Sequence, residues 1–214
     1  MTVTPLGDQA VLAELADESA AVALADAVRA AAPAWLLDVV PAYHRVGVFF
    51  DPDRTDPARV ADWLGGLDAA PVAVAPRLHT IPVCYERGPD LGHVAATLGL
   101  TPDRVIDRHA AAEYTVYAVG FVPGFAYLGY LPPELSGVGR LASPRVRVEP
   151  GMVGVTGRQT GVYPLPRPGG WPLIGQTPLT LVDVADGYFP LRVGDRVRFA
   201  RIDEAAFGRR GGRL

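Results

Sequence analysis

Between Gly120 and Pro178 the chain carries 12 of its 24 glycines and 10 of its 21 prolines within 59 residues. That density rules out long helices there, because proline removes a backbone donor and glycine costs conformational entropy. Disordered Pro/Gly tracts lack apolar and aromatic side chains, since they cannot bury enough surface to offset chain entropy. This stretch has Phe121, Phe125, Tyr127, Tyr130, Tyr163 and Trp171. It is therefore predicted to be ordered as tight turns and short strands. A backbone so restricted suits a rigid wall of amides and aromatic faces, a way to build a cleft for a small polar ligand.

The 214 residues, 49% hydrophobic, suffice for one large domain or two small ones with a real core. No run approaches the roughly 18 apolar residues of a membrane span. The opening MTVTPLGDQAVLAEL has no basic region followed by an apolar stretch, so neither a secretory signal nor a membrane partner is expected. Cys84 stands alone, which excludes an intrachain disulfide and makes a cytoplasmic location the expectation.

All 20 basic residues are arginine, so a phosphate-loop lysine, a Schiff-base lysine and a biotinylated lysine are excluded on this chain. Residues 1–76 hold 11 acids against four arginines. Residues 114–182 hold only Glu134 and Glu149 against Arg140, Arg145, Arg147, Arg158 and Arg167. Solvated faces account for such a pattern; a mildly positive second half favouring a carboxylate or phosphate does so equally. Nucleic acid is not an expected partner, because the pI is about 5.8 and the basic residues cluster only at Arg209, Arg210 and Arg213.

The pattern along the first 70 residues predicts a β-β-α-β-β-α unit. Two short strands over residues 2–15 flank a turn at Gly7-Asp8, and an Ala-rich helix over Glu18–Ala32 places Val22, Ala25 and Val28 near one face. Leu36–Tyr43 and Val46–Phe50 form a hairpin, and Asp56 caps a second helix with Pro57 at its first position. Ala69-Ala70-Pro71 to Pro76 reads as a linker or final strand. A strand over Leu78–Tyr85, with Pro82 favouring an edge or bulge, is followed by helices over Asp90–Leu98 and, capped by Thr101, to about Ala112. From the strand at Tyr114–Gly120 onward, short strands between Gly/Pro turns fit a barrel or a sandwich, with Leu179–Val184 and Arg196–Ile202 the clearest later ones. The expected domains are an α+β domain at 1–76, a β domain at 77–207 and a frayed tail at 208–214.

Several motifs carry chemistry, each beside a plainer role. In Arg158-Gln159-Thr160-Gly161-Val162-Tyr163, Gln159 offers a donor and an acceptor in one plane, to a ligand or to its own turn. Pro168-Gly169-Gly170-Trp171 can present amides to an oxyanion beside an aromatic wall, or cap the end of a barrel. It is no phosphate loop, lacking both lysine and a following helix. Phe121-Val122-Pro123-Gly124-Phe125-Ala126-Tyr127 is a turn flanked by aromatics, for a cleft or for core packing. His109, late in a helix, is a candidate acid, base or anion contact, or a structural C-terminal histidine. His44, His79 and His93 are not spaced as ligands, so no metal site is expected. Cys84 reads as a core thiol.

At these residues the chain resembles the family of the 5-oxoprolinase B subunit, also described as the KipI family and as allophanate hydrolase subunit 1. Pro5-Leu6-Gly7-Asp8, Asp38–Tyr43, Ile81–Tyr85, His109–Tyr117, GFVPGFAYLGYLP, GRQTGVYP, PGGW, IGQTP and GDRVRF occur in the family's order over nearly the whole chain. The resemblance implies an α+β fold, with a small N-terminal α+β domain followed by a cyclophilin-like β-barrel. It implies one component of an ATP-dependent 5-oxoprolinase, a cyclic-amide hydrolase opening 5-oxo-L-proline to L-glutamate. The C (KipA-like) and A subunits of that enzyme are the implied partners, in a heterotetramer or with homo-oligomers. ATP with Mg is then expected for the assembly, with no cofactor on this chain and no activity alone. The candidate catalytic residues are His109, for its pKa range, and Gln159 and Arg145, for their place on Gly/Pro-fixed turns beside aromatics. Substrate-binding residues are Phe121, Pro123, Gly124, Phe125, Tyr127, Arg158, Thr160, Tyr163, Gly169, Gly170, Trp171 and Gln176. The family usually has Arg where Gln176 stands, Ser where Arg167 stands, and a Pro-Arg pair where Gly139-Arg140 stands, which bears on the substrate. A component of a urea- or allophanate-type amidolyase or carboxyltransferase, and a binding protein that inhibits a histidine kinase, are the alternative expectations.

Overall fold

The computed structural model describes residues 1–68 and 76–214. The chain divides into two units, Met1–Ala75 and Pro76–Leu214, and each buries its own apolar residues. The linker or strand expected over Ala69 to Pro76 lies, up to residue 75, outside the described residues.

In the first unit, strands β1 (Thr2–Pro5), β2 (Ala10–Glu14), β3 (Leu36–Ala42) and β4 (Arg45–Phe50) pair antiparallel in the order β1-β2-β4-β3. Helices α1 (Glu18–Ala31) and α2 (Pro57–Gly66) complete the expected β-β-α-β-β-α order. Both are capped by aspartate: Ala20 N–H donates to Asp17 at 2.8 Å and Arg59 N–H to Asp56 at 2.9 Å. The face of α1 that enters the core is Ala21, Leu24, Ala25 and Val28, an i, i+3, i+4, i+7 stripe. Val22, expected on that face, is only half-buried, one helical step off the stripe.

In the second unit, seven strands close a barrel. They are β5 (Leu78–Cys84), β6 (Glu113–Val119), β7 (Ala126–Gly129), β9 (Met152–Thr156), β10 (Gln159–Val162), β12 (Leu173–Gln176) and β13 (Arg196–Ile202). Their order is β6-β13-β5-β12-β9-β10-β7, and a β6–β7 pairing returns the sheet to its start. Closure leaves no open edge to this ladder. Strands β8 (Arg145–Val148) and β11 (Arg167–Gly169) form a separate two-stranded ribbon. Strand β5 pairs along its length with β13 but with β12 only at Cys84–Gln176, the one-sided ladder expected of a strand holding Pro82. Helices α3 (Leu91–Leu98) and α4 (Pro102–Ala111) pack on the core, with Thr101 capping α4. The buried carboxylate of Asp195 ties down the start of the unit, accepting from Arg77 N–H at 3.2 Å and Arg192 N–H at 3.0 Å and meeting His79 Nε2 at 3.1 Å.

Two expectations are corrected. Leu179–Val184 is no strand: it holds only isolated bridges, Thr180 to Arg213 and Asp183 to Tyr188. Leu181 and Val182 are consecutive and both buried, so its β-branched composition serves packing rather than the in–out alternation of a ladder. The last residues, expected to fray, are held instead. A short helix, α5 (Glu204–Arg209), takes in Gly208 and Arg209, and Leu214 N–H donates to Thr180 O at 3.2 Å. Arg213 pairs with Asp183 at 2.9 Å and also with Asp186.

Candidate functional site

The turn between β6 and β7 sets the first wall of a cleft. Gly120 N–H donates to Phe125 O at 3.0 Å, closing the turn, and Gly124 has φ +73°. A Cβ at Gly124 would lie 2.2 Å from Val182 Cγ2, so only glycine fits this approach. The turn leaves Phe121 60% exposed and buries Phe125. Phe125 meets Tyr127, Tyr163 and Trp171 edge-on, with ring centroids at 4.9, 5.3 and 5.6 Å.

The β8–β11 ribbon and the segment after it supply the opposite wall. Gly169 is required there, because a Cβ would stand 2.5 Å from Tyr163 Oη. Burial pushes the Tyr163 phenol up, and the Trp171 backbone opposes that push. Together these elements enclose a cleft of about 200 Å³. Of the expected binding residues, Phe121, Tyr127, Tyr163, Gly169, Gly170 and Trp171 line it.

Three further lining residues were not among the expected site: Arg140, Pro144 and Pro168. Arg140 matters most. It makes no hydrogen bond or ion pair among the described residues, and its charge acts on both Tyr127 and Tyr163, opposing the upward push that burial gives each phenol. Nothing local in the sequence separates Arg140 from Arg158 or Arg167, which also lack acids within five positions.

Arg145, expected to be catalytic, is held elsewhere. Its Nη2 donates to Asp90 Oδ1 at 2.7 Å, and Asp90 Oδ2 accepts Leu173 N–H at 2.7 Å. Asp90 thus joins β8 to β12 instead of capping α3 with its side chain. The Arg145 Nη1 is enclosed and meets no acceptor.

His109, also expected to be catalytic, is fully enclosed in the barrel core. Tyr85 Oη lies 2.8 Å from its Nδ1 and Thr160 Oγ1 lies 2.9 Å from its Nε2. Thr160 has one proton and gives it to Gly154 O at 3.0 Å. His109 therefore donates from Nε2 and accepts at Nδ1 from Tyr85, the neutral tautomer. Its ring stacks on Phe199 at 4.5 Å, and burial lowers its pKa to about 3. A ring with no exposed atom makes no contact with a ligand in this structure; it joins α4, the turn that follows β5 at Tyr85, and β10.

The remaining expected residues disperse. Thr160 belongs to that buried chain. Arg158 covers the Tyr130 ring at 4.0 Å, and Gln159 opens β10 opposite Thr156 and Gly129. Pro123 and Gly124 shape the first turn without lining the cleft. Gln176 borders a different cavity of about 620 Å³, beside Thr177, Phe207 and Arg210. Its amide is fixed there, accepting from Arg87 Nε at 2.9 Å and donating to Pro150 O at 3.1 Å. Among the described residues no group of three or more His, Cys, Asp or Glu is placed to hold a metal ion. No described helix is long and apolar enough to cross a membrane.

Comparison with known proteins adds to this geometry. Residues 1–189 match the family model for the carboxyltransferase domain, subdomain C and D. The 5-oxoprolinase B subunit of Bacillus subtilis (strain 168) is 49% identical over 131 residues, 60% of this chain and 54% of its own length. The protein of the same name from Escherichia coli O157:H7 is 52% identical over 126 residues, 58% of this chain and 57% of its own. The chain thus spans about half the length of the curated relatives it matches. The solved structure of TTHA0988 superimposes with a TM-score of 0.83 at 39% identity, covering 92% of this chain and 41% of that one. The Kluyveromyces lactis urea amidolyase, at 17% identity and a TM-score of 0.76 over 97% of this chain and 15% of that one, shares the fold.

Proposed function

The chain belongs to the carboxyltransferase-domain family, subdomains C and D, and from that premise we propose that it is one component of an ATP-dependent 5-oxoprolinase. In this reading it binds 5-oxo-L-proline for ring opening to L-glutamate, acting with the A and C subunits of the enzyme as partners. The two relatives at about half identity bear the name of the 5-oxoprolinase B subunit. The observation that carries the reading is the cleft itself: about 200 Å³, aromatic-walled, with an arginine that has no counter-ion among the described residues. That volume falls below the roughly 300–1,000 Å³ of pockets for larger ligands, and it suits a small ring. Phe121 and Trp171 offer faces for the ring, Tyr127 and Tyr163 offer phenols to the amide, and Arg140 offers charge to the carboxylate.

Among the described residues the lining contains no carboxylate and no histidine, and burial pushes its two phenols, Tyr127 and Tyr163, up, so they stay protonated near neutral pH and serve as binding groups. A triphosphate with Mg²⁺ does not fit this cleft, which is small and has no acidic residue among the described ones to hold the metal. We assign ATP, and the activation of the stable lactam, to the partner proteins. The chain by itself is then inactive.

The test is ADP and glutamate release from 5-oxoproline and ATP, using this chain with candidate A and C subunits and omitting each in turn. Loss of both products when this chain alone is left out is the expected result. Full activity without it, or no activity in any mixture, removes the reading.

A further inference from the structure

We propose that Arg140 is the group by which the cleft selects a carboxylate over its neutral counterpart, and that Asp90 withholds Arg145 from that task. The inference rests on the reading of the cleft as a small-molecule site.

Two arginines act electrostatically on Tyr163, Arg140 and Arg145. They differ in what compensates them. Arg145 shares a 2.7 Å charged bond with Asp90, a carboxylate only 9% exposed. Opposite charges this close present little net charge to their surroundings. The Arg145 Nη1 is enclosed, so a ligand in the cleft does not reach it. Moreover, Asp90 is fixed from its other oxygen by Leu173 N–H, which holds the pair in place. Arg140 lines the cleft, is exposed and has no partner among the described residues. An arginine without a counter-ion beside two phenols and two aromatic faces is a site for one carboxylate on a small apolar body.

The selective group is therefore Arg140, while Asp90 holds Arg145 in an ion pair away from the cleft. No local pattern marks either role. Arg140 follows a glycine in a segment without acids, and Asp90 precedes Arg145 by 55 positions.

The experiment uses the full chain and two matched probe pairs: 5-oxo-L-proline with its carboxamide, and cyclopentanecarboxylate with cyclopentanecarboxamide. Binding is followed by calorimetry for the wild type, Arg140→Gln and the double variant Asp90→Asn/Arg145→Gln. The double variant removes both charges of the buried pair, keeps an acceptor for Leu173 N–H and avoids stranding one ion. Near-UV circular dichroism checks each fold. The wild type is expected to favour the carboxylate at least about tenfold, the scale of one charge-assisted hydrogen bond. Arg140→Gln erases that preference, while the double variant keeps it within about threefold. A preference that survives Arg140→Gln, that disappears in the double variant, or that is missing from the wild type overturns the proposal. If cyclopentanecarboxylate shows the Arg140-dependent preference while 5-oxoproline does not bind, the assignment stands and the oxoprolinase reading falls. If 5-oxoproline binds without dependence on Arg140, the reverse holds.

Discussion

His109 makes the stability of the barrel a function of pH. Its folded pKa is lowered to about 3 by burial, against an ordinary value near 6.5. Below pH 6.5 the unfolded chain takes up a proton that the folded chain refuses, so folding weakens as pH falls through that window towards 3. Between pH 7 and pH 5 the loss from this group amounts to about 2 kcal/mol. His109→Gln removes the titrating group, so the variant is expected to be less stable at pH 7 yet to lose about 2 kcal/mol less on going to pH 5. Urea denaturation of both proteins at the two pH values measures this, and parallel pH dependences exclude it. At the same scale, Gly169→Ala forces Tyr163 away from its seat and is expected to cost about 1–3 kcal/mol while weakening ligand binding. A variant that binds 5-oxoproline or cyclopentanecarboxylate as the wild type does contradicts the geometry drawn for that wall. The residue scale is also where the sequence was least informative. Phe121 and Tyr127 of GFVPGFAY, Tyr163 of GRQTGVYP and the Gly-Gly-Trp of PGGW were named from the sequence and line the cleft, because tight turns flanked by aromatics bring such side chains to one surface. His109 was not, because a histidine near a helix end has the same sequence whether it faces solvent or a Tyr–Thr chain.

Elements are tied together here by a few side chains that bridge positions distant in sequence. Asp90 fastens β8 through Arg145 and β12 through Leu173, and Asp90→Ala is expected to cost roughly 3 kcal/mol, since it strands a partly buried arginine and a buried N–H. Asp90→Asn retains an acceptor and costs less; chemical denaturation of both variants ranks them, and equal losses exclude the bridging role. Gly88 is a second such point. A Cβ there would fall 2.1 Å from the Ile174 carbonyl carbon, a clash with backbone that no rotamer relieves. Gly88→Ala is therefore expected to destabilise by more than about 3 kcal/mol, where an ordinary surface glycine such as Gly92, with open space around it, changes little. Comparable midpoints for the two substitutions dismiss the close packing of β12 on this turn. Strand and helix positions themselves were largely readable, through Asp56 and Thr101 as caps and through the short strands between Gly/Pro turns, such as Tyr114–Gly120. Leu179–Val184 misled because composition reports burial, and burial comes to loops as well as to ladders.

For the whole molecule, the informative feature is that the barrel closes within Pro76–Leu214, with β6 meeting both β13 and β7. A closed ladder around its own core contains the interactions needed for cooperative folding. A fragment of residues 76–214 is expected to show near-UV circular dichroism and a single cooperative urea transition; a broad, non-cooperative loss of signal counts against an independent barrel. The sequence by itself determined the α+β class, the order of most elements, the turns that glycine and proline permit, and the exclusion of lysine chemistry. These follow from local sterics, periodicity and residue type, which act over a few positions. Only the tertiary structure decided that Arg140 stands uncompensated in the cleft while Arg145 is neutralised from 55 positions away, and that His109 is sealed in the core. Charge compensation and burial depend on distances through space, and closing a barrel brings together groups whose separation along the chain carries no record of it.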